Sequence, residues 1–286
     1  MDSDRTFDEK TARSKVAIVY LDRWGNPPRF PRIFLSSLTR FLAGADFDII
    51  WQMKGYPQGA QSEPLKKFHK RFQGEIHELH YSDDQYQFSL SIDAAEKFGY
   101  DYLLFFTSWS RILAPNWLKF YLDAFANNVG CGIVGATGSF EQHTTDQPYP
   151  NVHVRTNAYM VRRDLYLSLD FGRLESKAAG YLVEAGPNSI TKQILDRGLE
   201  VLLINRFGDA LPPLAWPHAH IYRSGDQEAL LVADNHTYAY SKASNRRELV
   251  QLAWRDAAPV TKSSWLKPAL ARLRWHAPEL ARWIGL

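Results

Sequence analysis

The sequence predicts an α/β protein, a mostly parallel central sheet flanked by helices with a helical appendage at its C-terminal end. Three observations carry that reading. Near-continuous apolar runs at residues 15–21, 46–53, 102–106 and 199–204 have the pattern of strands buried on both faces of a parallel sheet. Stretches between them place apolar residues at helical spacing, as in Ile33, Phe34, Leu38, Phe41 and Leu42. Residues 15–53 then run strand, helix, strand, which is a right-handed parallel unit by default.

Taken in order, the strand at 15–21 is followed by a loop punctuated by Gly25, Pro27 and Pro28, and by a helix over 31–42. The strand at 46–53 ends at Lys54-Gly55. Residues 56–74 are polar, and their basic segment, Lys66, Lys67, His69, Lys70 and Arg71, reads as a solvated helix face. A short strand follows over 75–81. His77 and His80 point to opposite faces of it and do not make a metal pair. Ser82-Asp83-Asp84 can cap a helix that carries Phe88, Leu90, Ile92, Ala95 and Phe98. The apolar run at 102–106 stops at the polar cluster Thr107-Ser108-Trp109-Ser110. Pro115 then opens a helix with Trp117, Leu118, Tyr121, Leu122 and Phe125 on one face.

Residues 130–135 match G-x-G-x-x-G, but a helix precedes them and a strand runs through them. The dinucleotide fingerprint needs the opposite order, so these read as strand glycines. A loop over 135–140 leads to a strand over 153–161, on which Arg155 and Asn157 share a face. Arg162-Arg163-Asp164 opens a short helix, and residues 181–189 read as a turn carrying Glu184. A helix over 190–197, closed by Gly198, precedes the strand at 199–204, and residues 209–246 are rich in loops.

Composition bounds the function. With 286 residues, 45% of them hydrophobic, the chain can bury a large core. Its 34 Lys and Arg against 31 Asp and Glu give a net charge of +3, too balanced for nucleic acid to be the main partner. Cys131 is the only cysteine, which excludes a disulfide framework or a cysteine zinc site and fits a reducing compartment. Residues 1–14 are polar and read as a disordered tail without a secretory signal. No run approaches the roughly 18 apolar residues of a membrane span. A cytoplasmic protein, soluble or peripheral at the inner face of the plasma membrane, is expected.

The stretch over 101–118 resembles the fourth strand of the GT-A fold in family-2-like bacterial nucleotide-sugar glycosyltransferases. Pro115-Asn116-Trp117-Leu118 matches the family's Pro-x-Trp-Leu helix start, while Ser108-Trp109-Ser110 stands where those enzymes usually carry Asp-x-Asp. The later order of acidic turn, helix, Gly198 and apolar strand follows the same pattern, and the resemblance covers residues 15–240. It implies a GT-A-like domain over 15–246 and a nucleotide-sugar donor at the carboxyl ends of the strands, near Asp22, Lys54, Asp83, Asp84, Thr107, Ser108, Trp109 and Ser110. Asp83 or Asp84 would contact the base or ribose. Glu184 would be the base of an inverting transfer, with Glu175 next. Arg155, Asn157 and Asp226 would border a glycan or lipid-linked acceptor, and His218 and His220 would lie at its rim.

Serine hydroxyls are poor ligands for Mg2+ or Mn2+, so the missing Asp-x-Asp gives no support to a divalent cation. Lys54, Arg111 and Arg223 are the cations that could neutralise a leaving diphosphate instead. The rival reading is a non-catalytic sugar- or nucleotide-binding protein, or a scaffold, of a polysaccharide synthesis complex. Finally, 247–286 reads as an amphipathic helical segment. Trp265, Leu266, Leu270, Trp275 and Trp283 interleave with Lys262, Lys267, Arg272, Arg274 and Arg282. That composition suits docking of 262–286 on an anionic membrane surface, or packing on its own domain or on the second subunit of a homodimer.

Overall fold

The computed structural model describes residues 15–144 and 147–257, apart from the side chain of Asp256. The expected tail at 1–14 and the amphipathic segment at 262–286 lie outside the described residues. In chain order the first half comprises β1 (Val16–Arg23), α1 (Arg29–Arg40), β2 (Asp48–Lys54), α2 (Glu63–His69), β3 (Ile76–Tyr81), α3 (Gln87–Lys97) and β4 (Tyr102–Phe106). Next come β5 (Arg111–Ile112), α4 (Trp117–Asn127), β6 (Cys131–Gly135), β7 (Gly138–Ser139), β8 (His153–Val154), β9 (Ala158–Arg162) and α5 (Arg163–Leu167). The last part comprises α6 (Lys177–Ala185), α7 (Ile190–Asp196), β10 (Glu200–Ile204), β11 (Ala210–Leu211), a 3-10 turn over Pro213–His218, β12 (Val232–Ala233), α8 (Asn235–Lys242) and α9 (Arg246–Trp254).

Eight strands form one sheet in the order β11-β10-β6-β9-β4-β1-β2-β3. β1 pairs in parallel with both β2 and β4, β2 with β3, and β6 with β10. Only β9 and β11 of this sheet run the other way. The mixed α/β architecture and the mostly parallel sheet are those the apolar runs predict. Their cause is visible in β1, whose alternate residues feed different cores. Ala17 and Val19 face one side of the sheet, with α3, α7 and α9, while Val16, Ile18 and Tyr20 face the other, with α1 and α4. A strand covered on both faces has no polar register to keep, so it reads as continuously apolar.

The structure corrects several boundaries. The strand expected over 153–161 is broken at residues 155–157 into β8 and β9. The helix expected from Pro115 begins at Trp117, behind Asn116 in the left-handed conformation, and the short β5 precedes it. The turn expected over 181–189 is helical as far as Ala185, because the Ser176 hydroxyl caps α6 and Gly186 ends it. The domain expected to end at residue 246 continues through α9, where Val250, Ala253 and Trp254 are buried. There the Trp254 indole N–H donates to the Tyr222 carbonyl at 2.8 Å.

Gly132 and Gly135 do lie on a strand, β6, with Gly130 in the turn before it, and packing explains both strand glycines. A Cβ on Gly132 would come within 2.5 Å of Ile194, and one on Gly135 within 2.3 Å of Val154. Gly135→Ala therefore overpacks the contact between β6 and β8. We expect a loss of about 1–3 kcal/mol in urea denaturation; an unchanged midpoint would show that β8 yields freely.

Candidate functional site

The sheet order reverses at β1, which has β2 on one edge and β4 on the other. In open α/β sheets the crevice outside the carboxyl ends of the two strands at such a point is where ligands bind. Here that point is bounded by residues 22–24 at the end of β1 and by the Thr107-Ser108-Trp109-Ser110 turn after β4. The turn is tied down by its own serines. The Ser108 hydroxyl donates to the Leu21 carbonyl at 2.5 Å, and the Tyr20 hydroxyl donates to the Ser108 carbonyl at 3.0 Å. The Ser110 hydroxyl donates to the Asn157 carbonyl at 2.6 Å and accepts from the Thr107 N–H at 3.1 Å. Both serines are buried, and Trp109, packed on Phe30 at 4.0 Å, is the exposed side chain of the turn. The two serines expected near the donor thus commit their hydroxyl protons to main-chain carbonyls.

At the carboxyl end of β1, Asp22 turns inward and is 2% exposed. One of its oxygens accepts from Trp51 Nε1, Tyr56 Oη and Ser62 Oγ at 3.1, 2.8 and 2.9 Å. Burial pushes its carboxyl above the usual range, and these hydrogen bonds oppose that push. The expected donor contact is therefore a buckle joining β1, β2 and the loop before α2.

The cations and acids that do line this end of the crevice are Arg23, Lys54, Asp83 and Asp84. Asp83 takes Arg23 bidentately at 2.7 and 2.6 Å and lies 3.9 Å from Lys54. The Arg23 hydrogen bond holds its carboxyl below the ordinary value, and burial lowers the Lys54 ammonium. Gly55 has φ +71, and a Cβ there would come within 3.0 Å of Asp83, so glycine is what lets the acid approach β2. The expected helix cap at 82–84 does not form. Tyr86 is the cap residue of α3, and the Ser82 hydroxyl bonds Asp84 instead.

A second group gathers above the carboxyl ends of β4 and β6. β9 runs antiparallel to both, so its first residue pairs with the last of β4, Ala158 with Phe106. Residues 155–157, just before it, therefore sit at the crevice. Glu184, half-buried on the last turn of α6, accepts the Thr156 hydroxyl there. The next residue, Asn157, receives Thr107 and Ser110 on its carbonyl. Glu184 and the turn after β4 thus grip the same three residues.

Arg155 is buried and pairs with Asp234 at 2.8 Å, with its guanidinium 4.3 Å from the Tyr222 ring centroid. It also donates to the Thr137 hydroxyl at 3.3 Å, which in turn donates to Asn157 Oδ1 at 2.6 Å. Asn157 Nδ2 is buried and has no hydrogen-bond partner among the described residues. Burial alone would raise the Asp234 carboxyl, but Arg155 and the Thr237 N–H hold it below the usual range. His153 is buried and donates Nδ1–H to the Asn151 carbonyl at 2.8 Å. Burial lowers its pKa, although the charge of Glu184 opposes the shift.

Of the remaining candidates, Asp226 pairs with Arg246 at 2.6 Å and His220 with Glu228 at 2.8 Å, while His218 and Glu175 are exposed. Arg223 pairs with Glu141 at 3.0 Å. Arg111 is buried on β5, its pKa pushed down to about 10 by burial and by Arg40. Sequence reasoning missed Thr137, Glu141, His153, Thr156 and Asp234. The one local signal was Asp234, an aspartate three residues before Thr237 that forms a capping box for α8. Among the described residues no group of three or more His, Cys, Asp or Glu is placed to hold a metal ion. With both serines bonded to carbonyls, the donor set after β4 does not fit a divalent cation.

No family model matches the sequence, and no curated protein matches it. Solved structures do. A CMP:2-keto-3-deoxy-manno-octonic acid synthetase complexed with CTP is 14% identical with a TM-score of 0.41, over 67% of this chain and 89% of that one. The galactosyltransferase LgtC, in complex with donor and acceptor sugar analogs, is 9% identical with a TM-score of 0.43, over 66% of this chain and 73% of that one. Mouse xyloside xylosyltransferase 1 is 12% identical with a TM-score of 0.38, over 60% of this chain and 72% of that one.

Proposed function

We propose that the chain is a GT-A-like glycosyltransferase that moves a sugar, with inversion, from a nucleotide-sugar donor to a glycan or lipid-linked acceptor. Its setting would be polysaccharide assembly at the inner face of the plasma membrane. What supports this reading is the contact of Glu184 with Thr156, next to Asn157, whose carbonyl is held by the turn after β4. An inverting transfer needs a base for the acceptor hydroxyl, and a carboxylate at the mouth of the donor crevice supplies one. The leaving diphosphate needs positive charge. Arg155 and Arg223 are already paired with acids and Arg111 is buried beside Arg40. Lys54 and Arg23, at the ends of β2 and β1, two cations that share the one carboxylate of Asp83, would supply it.

Calorimetric titration with nucleoside diphosphates, in Mn2+ and then in EDTA, tests this reading. Binding is expected in both, with affinities less than about tenfold apart, roughly 1.4 kcal/mol. A larger loss on chelation would contradict the cation-independent site, and no binding of any nucleoside diphosphate would sink the donor assignment. One observation favours the second reading, a non-catalytic binding protein: the turn after β4 spends both serine hydroxyls on its own fold. Diphosphate binding without transfer to any acceptor would select it.

A further inference from the structure

The outward faces of α1 and α2 form a basic surface that glycosyl transfer does not use. α1 presents Arg29 and Arg32 to solvent, and α2 with the turn after it presents Lys66, Lys67, Lys70 and Arg71. The inward faces hold the helices in place, with Phe34, Leu35, Leu38 and Leu65 buried. The six cations are thus not needed to seat the helices.

Their surroundings differ from those of three exposed lysines on other helices. On α3, α4 and α7, Lys97, Lys119 and Lys192 each pair with an aspartate one turn away. Among the described residues, none of the six cations on α1 and α2 has a carboxylate within ion-pair distance. A groove of about 680 Å³ runs between the two helices, with Arg32, Ser36 and Thr39 on one wall and Lys67, Lys70 and Arg71 on the other. Among the described residues, Glu63 is the only acid that lines it. The whole chain carries only +3, so this face is a concentration of charge and not a general excess.

We propose that the α1–α2 face docks on the anionic surface of a phospholipid bilayer. The cations are spread along two packed helices and the turn after the second, which suits a field of many phosphates. No exposed ring in the groove offers a stacking platform for bases, since Phe68 packs inward on Phe72 at 5.3 Å. Leu42, just past α1, is 77% exposed and would enter the headgroup layer. α1 also starts at the crevice, where Phe30 meets Trp109, so docking through it brings the crevice mouth to the membrane. This inference stands without the transferase reading, because it rests on charge and exposure alone.

The test is co-sedimentation of the full chain with vesicles of equal parts phosphatidylglycerol and phosphatidylcholine, and with phosphatidylcholine alone. Wild type should bind only the anionic vesicles, and less in high salt, as the screening length shortens. A variant with Lys66→Gln, Lys67→Gln, Lys70→Gln and Arg71→Gln, checked for an unchanged melting temperature, should partition several hundred-fold less. Each basic residue near such a surface contributes roughly fivefold. Replacing the three lysines with arginine should preserve binding and shows that charge is what matters. Equal partitioning of wild type and the glutamine variant would overturn the proposal. So would release from vesicles by inorganic phosphate where chloride of the same ionic strength does not release it, which would mark a discrete phosphate site, or tighter binding to duplex DNA than to the anionic vesicles at equal phosphate concentration, which would mark a nucleic-acid face.

Discussion

Glu184→Gln should lower turnover of a working donor–acceptor pair by about 100- to 10,000-fold, the range that positioned acid–base groups supply. Glutamine keeps the length of the side chain and can still accept the Thr156 hydroxyl that orients Glu184. Folding and substrate affinity should therefore be nearly unchanged, with the loss in kcat and little change in KM. An effect on KM alone would mean that the carboxylate holds the acceptor without taking its proton. A fall of less than about tenfold would remove the role from Glu184. Glu175 is the next carboxylate to try, but it is exposed and outside the Thr156 contact.

The second large effect is on stability. Asp234→Asn should destabilise the fold by about 3–5 kcal/mol, because it leaves the Arg155 guanidinium charged and buried without its counter-ion. Asparagine still caps helices, so α8 keeps its start and the loss reports the ion pair. The pH dependence separates this from a packing defect. The Asp234 carboxyl is held below its ordinary value in the folded state, so its contribution is complete above the unfolded carboxyl pKa of about 3.9. It is lost as pH falls through the folded value. Wild-type stability should therefore drop at acid pH more steeply than that of Asp234→Asn, and the two urea-unfolding curves should converge there. Parallel pH profiles would exclude the charge as the cause. Replacing Arg155 with methionine and Asp234 with leucine together should recover much of the loss, since an apolar pair leaves no buried charge.

The fold was legible where physics acts locally. β1, β2, β4 and β10 announce themselves because both their faces are covered, so their sequences carry no polar register. Two-residue strands such as β5, β7, β8 and β12 give no periodicity to read, since their pairing is decided by partners outside the strand's own sequence. The site was legible to a lesser degree for the same reason. Glu184 drew notice from its neighbours Gly186 and Pro187, though its helix did not. Arg155 suggested a binding face, but nothing near it names Asp234, which a long loop-rich stretch delivers. Asp83 read as a cap because capping is the local option, whereas Arg23 reaches it from another strand.

β9 also has a consequence for the order in which the molecule is made. It is the strand that joins β4 to β6, and it is synthesised after both. Until it emerges from the ribosome, a sheet of β3, β2, β1 and β4 would have β4 as a bare edge. That edge, Tyr102 to Phe106, is apolar and carries no charge to repel another strand. The nascent chain is thus most open to mispairing after β4 is out and before β9 closes over it, an interval in which a chaperone would find its natural footing.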